Sequence, residues 1–196
     1  NAYLVIVGDI TPEAAKTKAE KYFGSWPAGK TPEYEYAFPK GVDNTSVAFI
    51  DKSGAVQSVI NITYALDLKP GAPDVIPARV MNTILGSGFS GRLFKNLRED
   101  KAYTYGAYSS LDDDELVGNF SANASVRNEV TDSAITQFFL ELDKLRNEPV
   151  SQEELDLAKS FIAGGFARSL ESPQTVAGFA LNIDMYDLPA DYYESY

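Results

Sequence analysis

The sequence predicts an α+β fold: a two-layer sandwich in which helices cover a mixed, mainly antiparallel β-sheet. Three observations carry this. Apolar, β-branched runs with alternating polar residues come as neighbouring pairs, the pattern of hairpins. Runs with helical spacing and recognisable caps lie between and after those pairs. The 196 residues are 44% hydrophobic and 12% aromatic, enough for one sizeable core, so residues 1–196 read as a single domain.

The elements follow in order. Residues 3–7 (YLVIV) form a short apolar run ended by Gly8 and Asp9, expected as a buried strand. Thr11-Pro12-Glu13 starts a helix, with Thr as cap, Pro in the first turn and an acid beside it. Ala15, Ala19, Tyr22 and Phe23 share its apolar face, and Gly24 ends it. Residues 25–44 hold Pro27, Gly29, Pro32, Pro39 and Gly41, which makes them a long connection. Strands are expected at 47–50 and 56–64, with a turn over 51–55. In the second, Ile60, Ile62 and Tyr64 alternate with Asn61 and Thr63, so one sheet face is polar.

Asp74 is expected to cap a helix over 75–85, with Pro77 tolerated in its first turn. A Gly/Ser loop, 86–91, leads to a shorter helix over 92–98. Strands at 102–109 and 116–124 flank an acidic tip, 112–115. A helix over 130–145 places Ile135, Phe138, Phe139, Leu142 and Leu145 on one stripe, and Pro149 breaks it. Ser151 and Glu154 form a capping box opening a helix to about 169. Ser172-Pro173 opens the last helix, to about 185. The order is β-α-β-β-α-α-β-β-α-α-α. The chain starts at Asn1 and stops in a Tyr-rich polar segment, 191–196, and reads as an excised piece of a longer protein.

Composition removes most catalytic options. There is no histidine and no cysteine. A Ser–His or Cys–His nucleophilic pair is therefore impossible, and so is an ordinary zinc site. The formal net charge of −11 argues against nucleic acid or an anionic membrane as partner and suits a protein handling basic or neutral peptides. No apolar run reaches membrane-spanning length.

Few segments point to chemistry. The loop 86–91 precedes a helix but follows another and lacks a Gly-Lys-Ser/Thr ending, so it is a tight helix–helix connection rather than a phosphate cradle. The acidic tip lacks calcium-loop spacing and reads as a solvated turn. Glu99-Asp100 and Glu153-Glu154 read as helix-surface charge. The stretch from Asn96 to Tyr105 differs. It sets Arg98 at a helix end and Tyr105 at a strand start, and the reversal between them could bring a guanidinium fork and a phenol to one point. Such a pair suits a peptide carbonyl oxygen or the oxyanion it becomes. An Arg salt-bridged at a helix terminus and a Tyr packed in the sheet is the plainer alternative.

The segment 85–110, LGSGFSGRLFKNLREDKAYTYGAYSS, resembles the Arg/Tyr region of the pitrilysin/insulinase family of zinc metallopeptidases, the inverzincins. Leu85, Gly86, Gly88, Phe89, Ser90, Arg92, Leu93, Phe94, Leu97, Arg98, Glu99 and Tyr105 match the family pattern, while Ser87 and Gly91 depart from its commonest residues. The resemblance covers nearly the whole chain in order. It implies the family's α+β domain of the C-terminal, inactive type. It also implies catalytic roles for Arg98 and Tyr105, which hold substrate and assist the transition state, and substrate-binding roles for Phe89 and Ser90. It implies no cofactor and no metal in this chain, with zinc expected in a homologous H-x-x-E-H domain or subunit. Expected partners are that zinc-bearing domain and a peptide substrate, with neither nucleic acid nor membrane. The family's range suggests a bacterial periplasm or envelope. A non-proteolytic assembly subunit of the same fold and a stand-alone peptide-binding module are the alternative readings.

Overall fold

The computed structural model describes residues 2–32, 34–48, 50 and 53–194. Among them the order is α1 (Pro12–Phe23), β1 (Gln57–Leu66), α2 (Val75–Gly86), a 3-10 turn (Gly88–Ser90), α3 (Arg92–Phe94) running into a π-helical segment (Lys95–Asp100), β2 (Thr104–Asp112), β3 (Gly118–Arg127), a 3-10 turn (Asn128–Val130), α4 (Thr131–Asn147), α5 (Gln152–Ser169) and α6 (Pro173–Met185). The chain divides into two compact units, Asn1–Ala37 with Gly164–Tyr196, and Phe38–Ala163.

In the first unit the Thr11 hydroxyl accepts the Ala14 N–H at 3.2 Å, capping α1 as expected. Phe166, Phe179 and Tyr193 stack in series, with centroids 5.5 and 3.9 Å apart. Asn182 Nδ2 donates to the Tyr193 hydroxyl at 3.0 Å. Residues 3–7 form no strand: their apolar side chains stay about half exposed and, among the described residues, no ladder partner takes up their backbone. A β-branched run becomes a strand only where pairing and burial are available to it.

The second unit holds an antiparallel sheet in the order β1-β3-β2. Gln57 pairs with Arg127 at one end of the β1–β3 ladder and Leu66 with Gly118 at the other. Of the expected strand at 47–50, the described residues 47, 48 and 50 form no strand and Val47 and Ile50 are exposed; Phe49 lies outside the described residues, as do Asp51 and Lys52 of the expected turn. β3 alternates buried and exposed along its length. Its inward residues Phe120, Ala122, Ala124 and Val126 join Ile60 of β1, Ala107 of β2, Leu85, Leu93 and Leu97 of the segment 75–100, and Ala134 and Phe138 of α4 in one core. Burying Phe120 and Phe138 completely contributes roughly 1.5–3 kcal/mol each. Ile135 and Phe139, expected on the α4 stripe, are instead exposed, while Ala134 and Glu141 are buried. The core-facing line runs through Ala134 and Phe138, with Leu142 and Leu145 of the expected stripe packed against it, and Glu141 is buried beside it with partners: Asn96 Nδ2 and Lys144 Nζ donate to its Oε1 at 2.7 and 3.0 Å. The opposite sheet face is polar, with Asn61 opposite Asn123 and Thr63 opposite Ser121.

Two links fix α2 and α3. Asn82 Oδ1 accepts from Ser109 Oγ at 2.7 Å, tying α2 to β2. Arg92 Nε and Nη2 donate to Glu154 Oε1 and Oε2 at 2.7 and 2.9 Å, tying α3 to α5. Glu154 also accepts the Ser151 N–H at 3.1 Å, so the capping-box acid is a bridge between helices and not a solvated charge. Asp74 makes no side-chain cap. The acidic tip is ordered internally: Asp114 Oδ1 accepts the N–H groups of Leu116 and Val117 at 2.8 and 3.1 Å, and Arg79 pairs with Asp113 at 2.8 Å.

Candidate functional site

Two glycines of the loop 86–91, Gly86 and Gly91, are required by close packing. A Cβ on Gly86 would lie 2.5 Å from the Ser109 backbone N, and one on Gly91 2.8 Å from Gly86 Cα. Gly88 turns the chain at φ +68, a conformation that costs glycine nothing. The loop thereby sets α3 against β2. After Phe94 the helix widens into π geometry, with the Lys101 N–H reaching the Asn96 carbonyl at 3.0 Å. Single π turns of this kind concentrate at functional sites.

The reversal into β2 is made by Ala102 at φ 52, a left-handed conformation that a residue with a Cβ adopts at a cost of roughly 1 kcal/mol. Three bonds hold it. The Ala102 and Tyr103 N–H groups donate to the carbonyls of Arg98 and Leu97 at 3.2 and 2.9 Å, and Arg127 Nη1 donates to the Ala102 carbonyl at 2.8 Å. Immediately beyond, the β2–β3 register slips between Thr104 and Ala107. This bulge holds Tyr105 and Gly106, with the Thr104 hydroxyl donating to the Ser125 carbonyl at 2.7 Å. Bulges re-aim side chains, and here Tyr105 stands out of the sheet, 91% exposed.

The result is that Arg98 and Tyr105 meet. The Arg98 guanidinium carbon lies 4.7 Å from the Phe94 ring centre and 5.7 Å from that of Tyr105, a cation–π arrangement on two rings. Among the described residues no carboxylate pairs with Arg98, and the Tyr105 hydroxyl has no hydrogen-bond partner. Both line an open cleft of about 890 Å³ at the end of the sheet where β1 and β2 begin and β3 ends. Gln57, Thr104, Asn123, Ser125 and Arg127 also line it. Arg127 lies about 25 residues from the pair in sequence. The signal for it was the polar-outward alternation of β3, which marks a solvent face but does not say that the face carries a site.

Phe89 and Ser90 are not among the cleft's lining residues. Phe89 is 71% exposed and meets Phe94 edge-on at 5.1 Å, one ring removed from Arg98. Ser90 lines a separate cavity of about 20 Å³ with Thr83, Lys95 and Glu154. Glu154 is held down to about 2 by its hydrogen bond from Arg92, with Ser151 adding to the effect against the opposing pull of burial. The same contact raises Arg92. Glu129 lies below the usual carboxylate range because its own backbone N–H and Arg127 donate to it.

The sequence has no His or Cys to supply nitrogen or sulfur ligands to zinc, and among the described residues no group of three or more acidic side chains could hold a metal ion. Among them, too, no helix is long and apolar enough to cross a membrane.

The family model of the peptidase M16 inactive domain matches residues 1–161. Zinc protease YmxG of Bacillus subtilis (strain 168) is 27% identical over 171 residues, 85% of this chain and 39% of the relative. A zinc protease of Rickettsia felis is 29% identical over 167 residues, 82% of this chain and 37% of the relative. Among solved structures, a peptidase M16 inactive domain from Pseudomonas fluorescens superposes with a TM-score of 0.73 at 27% identity, over 96% of this chain and 44% of that one. A Helicobacter pylori protease shares the fold at a TM-score of 0.79 and 22% identity, over 92% and 44%. This chain spans less than half the length of each of these relatives. With the family model matching most of its length and the motif region folded into one unit, the chain belongs to the pitrilysin/insulinase (M16) family, as an inactive domain of the C-terminal type.

Proposed function

We propose that this chain is the substrate-holding, transition-state-assisting domain of a zinc-dependent peptidase. The observation that carries the reading is Arg98: a guanidinium with no carboxylate partner among the described residues, stacked beside Tyr105 in one cleft. A structural arginine at a helix end ordinarily finds an acid. This one keeps its N–H edge for a ligand while its face rests on rings. In the proposed complex a peptide backbone carbonyl enters the cleft, and Arg98 and the Tyr105 hydroxyl donate to its oxygen. Both bonds tighten as negative charge develops there. The exposed ring of Phe89 offers apolar surface to a neighbouring substrate side chain, and Ser90 belongs to the turn that presents it. The metal belongs to a homologous H-x-x-E-H domain, in the same polypeptide or in a partner subunit, and this chain alone hydrolyses nothing.

The test uses the protease with its zinc-bearing domain present. Tyr105→Phe removes one exposed hydroxyl and no core packing, so stability stays unchanged. The kcat should fall roughly ten- to a thousandfold, the range for losing one oxyanion donor. A loss confined to KM would reduce the pair to a ground-state anchor. Full activity would remove the assignment.

A further inference from the structure

We infer that the cleft selects peptides bearing a carboxylate beside the held backbone, and that Arg127 receives it. This rests on the reading of the cleft as a peptide site and names its substrate class. The chain carries 28 Asp and Glu against 17 Lys and Arg. Yet the residues lining the cleft include Arg98 and Arg127 and no acid. In a protein this acidic, an acid-free cleft with two guanidinium groups is a local reversal of sign, and a ligand in contact feels the local charge. The −11 overall, which by itself suits basic or neutral peptides, is therefore misleading at this surface.

A guanidinium has five N–H donors. Arg98 makes no side-chain hydrogen bond or ion pair among the described residues, so its donors are free for the substrate carbonyl. Arg127 uses one N–H on the Ala102 carbonyl at 2.8 Å and its Nε–H on Glu129 at 2.8 Å. The rest of its fork remains, on a side chain 53% exposed. Glu129, itself 69% exposed, is among the described residues the one acid tied to a cleft residue. A pair this open to water contributes little, so an incoming carboxylate can share or replace it. Gln57, Asn123 and Ser125 supply uncharged polar atoms around the same space, with no negative charge to repel the ligand. Glu99 and Asp100 follow Arg98 in sequence but line no part of the cleft. The bond from Arg127 to Ala102 also places the carboxylate receiver directly against the reversal that brings Arg98 and Tyr105 together.

Fluorescence anisotropy on the full chain tests this. The probes are short labelled peptides, acetylated and amidated, identical except for Asp or Asn scanned through each position. A further Asn peptide with a free C-terminus separates a side-chain carboxylate from a terminal one. The expected result is roughly five- to twentyfold tighter binding of the best acid-bearing peptide than of its Asn twin, a charge-assisted bond discounted for solvent exposure. Arg127→Gln should abolish that advantage while keeping an amide donor for Ala102, and Glu129→Gln should preserve or enlarge it. Twins that bind equally would overturn the inference and leave the peptide-site reading standing. An advantage that survives Arg127→Gln would overturn the assignment of Arg127. No binding by any peptide would overturn both readings.

Discussion

Arg98 and Tyr105 are brought together by Ala102. Its φ of 52 shortens the path from helix to strand, and the sequence gives no hint of it, because glycine or asparagine is the usual choice there. Ala102→Gly relieves the steric cost but also frees the unfolded chain, so urea unfolding should show a net stabilisation of about 0.5 kcal/mol with the cleft intact. Gly86→Ala should have the opposite sign. Its Cβ would meet the Ser109 backbone, which cannot yield as a flexible side chain would, and chemical denaturation should record a loss of about 2–3 kcal/mol. At this scale the sequence was partly legible. Arg98 and Tyr105 could be singled out from residue type and family pattern. Arg127, Gln57 and Asn123 could not, because only the β1–β3 register brings them to the same end of the sheet.

Helices were legible where the chain writes its own start signals: Thr11-Pro12, Ser151 with Glu154, and Ser172-Pro173 each set a boundary to within a residue or two. Irregular elements were not. The π turn over Lys95–Asp100 and the bulge at Tyr105 are choices made by packing and ladder register, and local propensity carries no trace of either. Residues 3–7 and the described part of 47–50 differ from expectation for a related reason, since they have strand composition without a ladder partner among the described residues. The Arg92–Glu154 bridge gives this scale its pH test. Glu154 sits at about 2 in the folded chain against an ordinary 4.5. A lowered carboxyl stabilises the fold fully above pH 4.5, and that contribution is lost as pH falls from 4.5 towards 2. Glu154→Gln should lower stability at neutral pH by about 2 kcal/mol and flatten the acid limb between those values. An unchanged acid limb in a thermal-melt series would show that the bridge does not connect α3 to α5 energetically.

Across the molecule, one sheet face buries the core and the other is left polar, with the Arg/Tyr cleft at its end. With neither His nor Cys, the chain should retain no stoichiometric zinc, and one zinc per chain after exhaustive dialysis would contradict that. The central claim, that Arg98 and Tyr105 act on one substrate oxygen as a unit, is tested most directly by a double-mutant cycle in the zinc-bearing protease. Arg98→Lys, Tyr105→Phe and the double variant are compared by kcat. Groups serving one oxyanion are strongly non-additive, so the double variant should be barely slower than the worse single. Losses that simply multiply would mean the two side chains act independently, and no loss in any variant would mean that neither takes part.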